Sequence, residues 1–296
     1  MPVSSQDVNI TQHNDVYPGI DVNGSLKGAA GGKIVYIAGA SRGIGAATAH
    51  AYALAGCAGL FLTARSLDTI TSVASSIHSS LTADSSRELV IETDAVDVTD
   101  LKAVGESVKR CVEKFGRIDV LIVNAGYMEP WMNIADCDPI GWWKVLEVNL
   151  GGVFNLVHHA VPSLLKTQGH IILLSSVGAQ KIGPGASAYG CSKHALNRFA
   201  EYIHCEYNAQ GIKVFSIHPG GVVTELSSVA PHLLPYLVDT AELPGYTMVR
   251  LSSGSEDWLS GRYISCNWDL DELAKRRREI EDGDLLKNRL DVGSLA

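Results

Sequence analysis

The chain predicts an α/β fold, a single domain built on a doubly wound parallel sheet with helices on both faces. Three observations carry this. Short apolar runs alternate with longer helical stretches from about residue 33 to 265, without an intervening linker. The first run ends in a glycine cluster that opens straight into an Ala-rich segment. Hydrophobic residues make up 46% of the 296 positions, beside 29 glycines, which suits a substantial core with many tight turns.

The elements follow in order. Residues 33–38, with the apolar run Ile-Val-Tyr-Ile-Ala, form a fully buried strand, because parallel sheets covered on both faces take continuous apolar runs. Residues 44–55 are Ala-rich and helical; 60–63 is a second strand, 67–81 a helix and 89–93 a third strand. Asp100 is an N-cap for a helix reaching about Phe115. A strand at 118–123 precedes a long helical region over 142–166. Residues 171–175 are a strand, 188–208 a helix and 214–218 a strand. Residues 225–255 read as a loop-rich, variable substrate segment, expected with Pro231, Pro235, Pro244 and Gly245 to act as a lid that orders on binding, and 262–265 as a last strand. Flanking this domain (31–266), residues 1–30 are polar and aperiodic, an extension expected to lie on the surface or in partial disorder. Residues 267–296 form a charged, helical tail.

A net charge of −8 and a pI near 5.7 argue against nucleic-acid or anionic-membrane partners. The Lys275–Arg278 run is interleaved with Asp271, Glu272, Glu279, Glu281 and Asp282, and reads as a solvated mixed-charge helix face. The six cysteines lack Cys-x-x-Cys spacing. No basic segment leads into an apolar core at the N-terminus, and no apolar run reaches 18 residues, so a cytoplasmic protein is expected. His158, His159 and His170 lack ligand spacing and neighbouring acids, and no metal is expected. Ser163-Leu-Leu-Lys166 has acyl-transfer spelling but no partner motif.

The first strand–helix turn reads Gly39-Ala-Ser41-Arg42-Gly43-Ile44-Gly45. Glycines there permit a tight turn and close approach of backbone to phosphate, and the helix N-terminus offers free N–H groups and partial positive charge. Nucleotide binding follows from that position in a Rossmann-type unit. The second strand ends in Ala64-Arg65-Ser66, with no acid to hold ribose hydroxyls; Arg65, helped by Arg42, suits a 2′-phosphate instead. NADP(H) is therefore the expected cofactor, ahead of NAD(H).

Tyr189 and Lys193 are one helical turn apart, and Ser176 lies thirteen residues upstream. A cation beside a phenol is expected to lower its pKa and allow proton exchange with a substrate oxygen.

The Gly-x-x-x-Gly-x-Gly spacing, with Ala38 in place of the usual Thr, resembles that of the classical short-chain dehydrogenases/reductases. Further motifs match in family order: Asp97-Val98, Asn124-Ala125-Gly126 (preceded by Val123 where the family has another Asn) and Pro219-Gly220-Gly-Val222-Val-Thr224. The resemblance spans about residues 33–265 and implies that these motifs line adenine, nicotinamide and phosphate. It also implies a tetrad. Tyr189 exchanges the proton, Ser176 steadies the substrate oxygen, Lys193 tunes Tyr189 and holds cofactor ribose, and Asn149 keeps a relay water on Lys193. By the family's geometry the pocket is bounded by 127–131, 177–184 and 225–250, giving Tyr127, Met128, Trp131, Val177, Ile182, Leu226 and Tyr236 as its lining and a fairly apolar ketone or alcohol as substrate. The family also implies pairing through the two long helices, as a homodimer or homotetramer. Two other readings stand beside reduction of a ketone or aldehyde: a non-catalytic dinucleotide-binding regulator, and an alcohol dehydrogenase preferring NAD. Dehydration or epimerisation on the same tetrad is a third.

Overall fold

A computed structural model describes residues 8–81 and 89–290. Seven parallel strands form one sheet in the order β3-β2-β1-β4-β5-β6-β7. They are β1 (Ile34–Ala38), β2 (Gly59–Ala64), β3 (Val90–Ala95), β4 (Val120–Val123), β5 (His170–Leu174), β6 (Lys213–His218) and β7 (Arg262–Ser265). Every residue of β1, β4, β5 and β7 is buried, as continuous apolar runs covered on both faces should be. The edge strand β3 is half-buried, which is why its Glu92 and Asp94 are tolerated.

The crossover helices are α1 (Gly43–Leu54), α2 (Leu67–Leu81), α3 (Leu101–Phe115), α4 (Pro139–Leu146), α5 (Gly152–Thr167), α6 (Ser187–Tyr207) and α7 (Glu242–Leu251). Asp100 caps α3 by accepting from Ala103 N at 3.0 Å. The region expected as one helix over 142–166 is instead α4 and α5 joined by a π-helical turn at Glu147–Gly151. That turn contains Asn149, and π-bulges often mark functional positions.

Two expectations need correcting. Residues 225–255 are not all loop, because α7 occupies ten of them. Pro244 falls in its first turn, where the missing N–H has no intrahelical acceptor to lose. Gly245 lets α7 approach α1 closely; a Cβ there would stand 3.2 Å from Ala47 O and Thr48 Cα. The N-terminal extension, from Val8 on, is packed against the domain. Ile10, Tyr17, Ile20, Val22 and Ala30 are buried, and Gln12 bridges to Trp268. These residues join one core cluster at irregular spacing, so they leave no period to detect.

The tail forms α8 (Leu270–Lys275) and α9 (Arg277–Asp282). Its basic run is paired along the helix, Arg276 with Glu279 and Arg277 with Glu281, as a solvated mixed-charge face should be. The 284–290 segment then returns to α6, where Arg198 donates to Asn288 O at 2.9 Å.

Candidate active site

The strand order reverses between β1 and β4, and a crevice opens there at the carboxyl ends of the strands. The glycine loop sits on this edge. Gly39 has φ +85°, and a Cβ on it would lie 2.7 Å from Ala125 N. Asn124 Nδ2 donates to Gly39 O at 2.6 Å, fastening the end of β4 to the end of β1. Gly45 is buried against Gly39 O and Asn124 Nδ2, leaving no room for a side chain. Gly43, at φ +52°, faces Thr224 Cγ2, so the loop after β6 closes the same edge. The α1 N-terminus has no side-chain cap, and its first N–H groups remain available to an anion. Glycines that would clash if substituted, beside an uncapped helix start, fit a dinucleotide pyrophosphate.

Arg65 is exposed at the end of β2 and forms no ion pair among the described residues. Its charge helps hold Asp97 below its ordinary pKa, although the leading cause is the Thr99 N–H bonded to that carboxylate. Val98 is buried against Gly152. The Arg42 guanidinium pairs with Glu225 on the loop after β6. Both partners are more than half exposed, so the pair is readily exchanged for another anion. Pro219, Gly220 and Val222 lie on the loop just after β6, Ser41 in the glycine loop and Ile44 in the first turn of α1.

The four tetrad positions converge. Ser176 ends the segment after β5 in extended geometry, its Oγ accepting from Gly178 N at 3.0 Å. Ser176 and Tyr189 lie side by side: a Cβ at Gly178 would stand 3.5 Å from Ser176 Oγ and 3.6 Å from the Tyr189 ring. Lys193 lies one turn along α6, its Nζ 5.6 Å from the Tyr189 ring centroid and 2.7 Å from Leu174 O. Asn149 is fully buried, with Oδ1 accepting from Tyr127 N (2.8 Å) and Nδ2 donating to Tyr127 O (2.9 Å) and Ser192 Oγ (3.0 Å). A Cβ at Gly126 would stand 3.5 Å from Asn149 Oδ1 and 3.7 Å from Lys193 Nζ, which puts the three within one cluster.

The electrostatics reverse one expectation. Burial pushes the Tyr189 phenol above its ordinary value, with the neighbouring Ser176 hydroxyl opposing. Burial also lowers Lys193, to about 8. Within the chain the cost of desolvating both groups outweighs the attraction that spacing alone suggested.

The proposed pocket lining divides. Trp131 stands between Gly183 and His232, its ring 4.7 Å from the imidazole and edge-on to it. It therefore joins the three segments expected to bound the pocket. Tyr127 is partly exposed, and Val177 and Leu226 are half-buried. Met128 is buried, whereas Ile182 and Tyr236 stand in solvent at 103% and 76% exposure rather than in a wall. A separate open groove of about 840 Å³ runs along α4 past Ile140, Trp143 and Leu150, meeting this region at Tyr127.

Sequence reasoning missed several supporting residues. His218 Nδ1 accepts from Val177 N at 3.1 Å, and burial lowers its pKa to about 4, so it stays neutral. Its place just before Pro219 was the available signal. Ser192, three residues after Tyr189, joins Asn149 to Tyr189 O. Elsewhere, His170 proves to have an acid neighbour after all, Asp257 at 2.9 Å. Ser163 Oγ accepts from Ile118 N, a structural duty. No group of His, Cys, Asp or Glu among the described residues has the arrangement of a metal site.

The sequence profile described as short chain dehydrogenase matches residues 33–232. Curated relatives match nearly end to end. The short chain dehydrogenase mpl6 of Monascus purpureus is 41% identical over 94% of each chain. The short chain dehydrogenase andI of Emericella variicolor is 38% identical, also over 94% of each. Among solved structures, carveol dehydrogenase from Mycobacterium avium in complex with NAD superposes with a TM-score of 0.72 at 22% identity, covering 80% of this chain and 96% of that one. A short-chain dehydrogenase/reductase variant from Serratia marcescens gives 0.72 at 25% identity, covering 80% and 97%. The chain belongs to the short-chain dehydrogenase family. It is an oxidoreductase by family, and such enzymes work with a nicotinamide dinucleotide on a small molecule.

Proposed function

We propose that the protein is an NADP(H)-dependent reductase of a fairly apolar ketone or aldehyde, acting as a cytoplasmic homodimer or homotetramer. The observation that carries it is the convergence of Ser176, Tyr189, Lys193 and Asn149 beside the glycine loop. Gly39, Gly43 and Gly45 with the α1 N-terminus would hold the pyrophosphate, Asp97 and Val98 the adenine side, and Arg65 with Arg42 the 2′-phosphate. Asn124, Ala125 and Gly126, with Pro219, Gly220, Val222 and Thr224, would flank the nicotinamide half.

The bound nicotinamide supplies the hydride. The chain's residues handle the oxygen and its proton. Ser176 Oγ and Tyr189 Oη together hold the carbonyl oxygen, and Tyr189 Oη gives its proton to the alkoxide as it forms. A phenol kept protonated by burial is ready to donate, which suits reduction. Lys193, at 5.6 Å from the ring, stabilises the phenolate left behind. Asn149 is fixed by three hydrogen bonds in the π turn and keeps the backbone around Gly126 and Tyr127 in register with Lys193.

Cofactor preference is tested at Arg65. Arg65→Asp is expected to move the NADPH-to-NADH ratio of kcat/KM about 10²-fold toward NADH. An unchanged ratio in steady-state kinetics over a ketone panel would remove Arg65 from that role.

A further inference from the structure

The loop after β6 is braced by residues outside the matched family region, which ends at residue 232. Asp239 lies beyond it and pairs back onto the loop. Its N–H donates to Gly221 O at 3.0 Å, and it forms an isolated parallel bridge with Val222. Its Oδ2 accepts from Gly221 N at 2.5 Å and from Asn267 Nδ2 at 3.0 Å. Gly220 has φ +92°, and a Cβ there would lie 2.6 Å from the same Oδ2, so the loop is shaped around this carboxylate. The other oxygen, Oδ1, is buried with no hydrogen-bond partner. Keeping a carboxylate there is costly unless the N–H groups it holds matter.

The brace is itself held by the N-terminal arm. Asn267 Nδ2 also donates to His13 O (2.9 Å), and His13 N donates to Asn267 O (2.7 Å). Thr240 N donates to Asn14 O (3.0 Å), and Thr240 Oγ1 to Asp15 Oδ1 (2.7 Å). The arm is anchored in turn to the tail, His13 to Asp269 at 2.9 Å and Thr11 N to Glu272 at 2.8 Å. Segments 225 and 254 residues apart in sequence thus meet at Thr240 and Asn267, and Asn267 carries the contact on to the Asp239 carboxylate beside Gly220 and Gly221.

We infer that Asp239, locked to the arm through Asn267, is a positioning residue that sets the protein's grip on the nicotinamide half of its cofactor. This rests on the reading of 219–224 as the nicotinamide-side loop. Its action is indirect: it fixes the direction of the Gly220–Gly221 peptide and thereby of Val222 and Thr224.

The test compares whole dinucleotide with an adenosine fragment that lacks the nicotinamide: NADPH beside 2′,5′-ADP, and NADH beside ADP. Binding is titrated to full-length wild type, Asp239→Ala, Asp239→Asn and Asn267→Ala, each first checked for folding by circular dichroism. Asp239→Ala and Asn267→Ala are expected to weaken the dinucleotide about tenfold and leave the fragment unchanged, while Asp239→Asn, which keeps an acceptor oxygen, stays within about threefold of wild type. A general loss of structure would weaken both ligands equally, and that result, or no change in either, overturns the brace alone. If Asp239→Ala does not fold, Asn267→Ala decides by the same comparison. A wild type that binds neither dinucleotide sinks the cofactor reading, and the brace with it.

Discussion

Lys193 shows what a reactive site costs its fold. The residue is 4% exposed, and its ammonium donates one hydrogen bond, to Leu174 O. Burial brings its pKa from about 10.5 to about 8. Between those values the unfolded chain binds the extra proton, so stability should rise with pH across that window and carry the full penalty below it. Lys193→Met is therefore expected to stabilise the protein at pH 7 by up to about 3 kcal/mol, less the Leu174 hydrogen bond, and to flatten the rise above pH 8. Urea unfolding at pH 7 and pH 10 measures both, with turnover lost in the same variant. The identity of the Tyr189, Lys193, Ser176 and Asn149 cluster was legible in sequence because spacing and order encode it. The sign of the Tyr189 shift was not, because desolvation depends on surroundings contributed by distant parts of the chain.

At the scale of elements, α6 shows why the site could be read from sequence. One turn separates Tyr189 from Lys193, and Ser192 falls between them to hold Asn149. Helix α7 shows the opposite: Pro244 and Gly245 look like loop residues until α1 is present to reward the close packing. The π turn at Asn149 was likewise invisible, since its sequence keeps an ordinary apolar period. The outer faces of α5 and α6 carry Phe154 at 51% and Tyr202 at 59% exposure, large apolar surfaces of the kind that subunit contacts cover. The double variant Phe154→Glu/Tyr202→Glu is expected to convert the proposed oligomer to monomer by light scattering. A wild type that is already monomeric, or an assembly untouched by both charges, would contradict pairing through these helices.

Across the whole molecule, a doubly wound parallel sheet was readable from the alternation of strands and helices, but its strand order and the closure of the domain by its two ends were not. Arg250 on α7 binds Glu256 (2.8 Å), Asp271 of α8 (2.8 Å) and Gly19 O of the N-terminal segment (3.0 Å). Its side chain is 9% exposed and that of Glu256 2%. Removing one partner of such a pair strands the other charge, so Arg250→Met is expected to cost about 3 kcal/mol in denaturant unfolding. A loss within about 0.5 kcal/mol would mean the ends are not held by this pair. Such contacts join residues 231 positions apart, beyond what local pattern can announce.

The central claim is that these elements bring Tyr189 to a substrate oxygen as its proton donor. Tyr189→Phe tests it most directly, with NADPH binding titrated beside ketone-dependent NADPH oxidation. The expected result is cofactor affinity within about threefold of wild type and turnover reduced at least about 10³-fold. Substantial residual turnover in a variant that binds NADPH normally would contradict it.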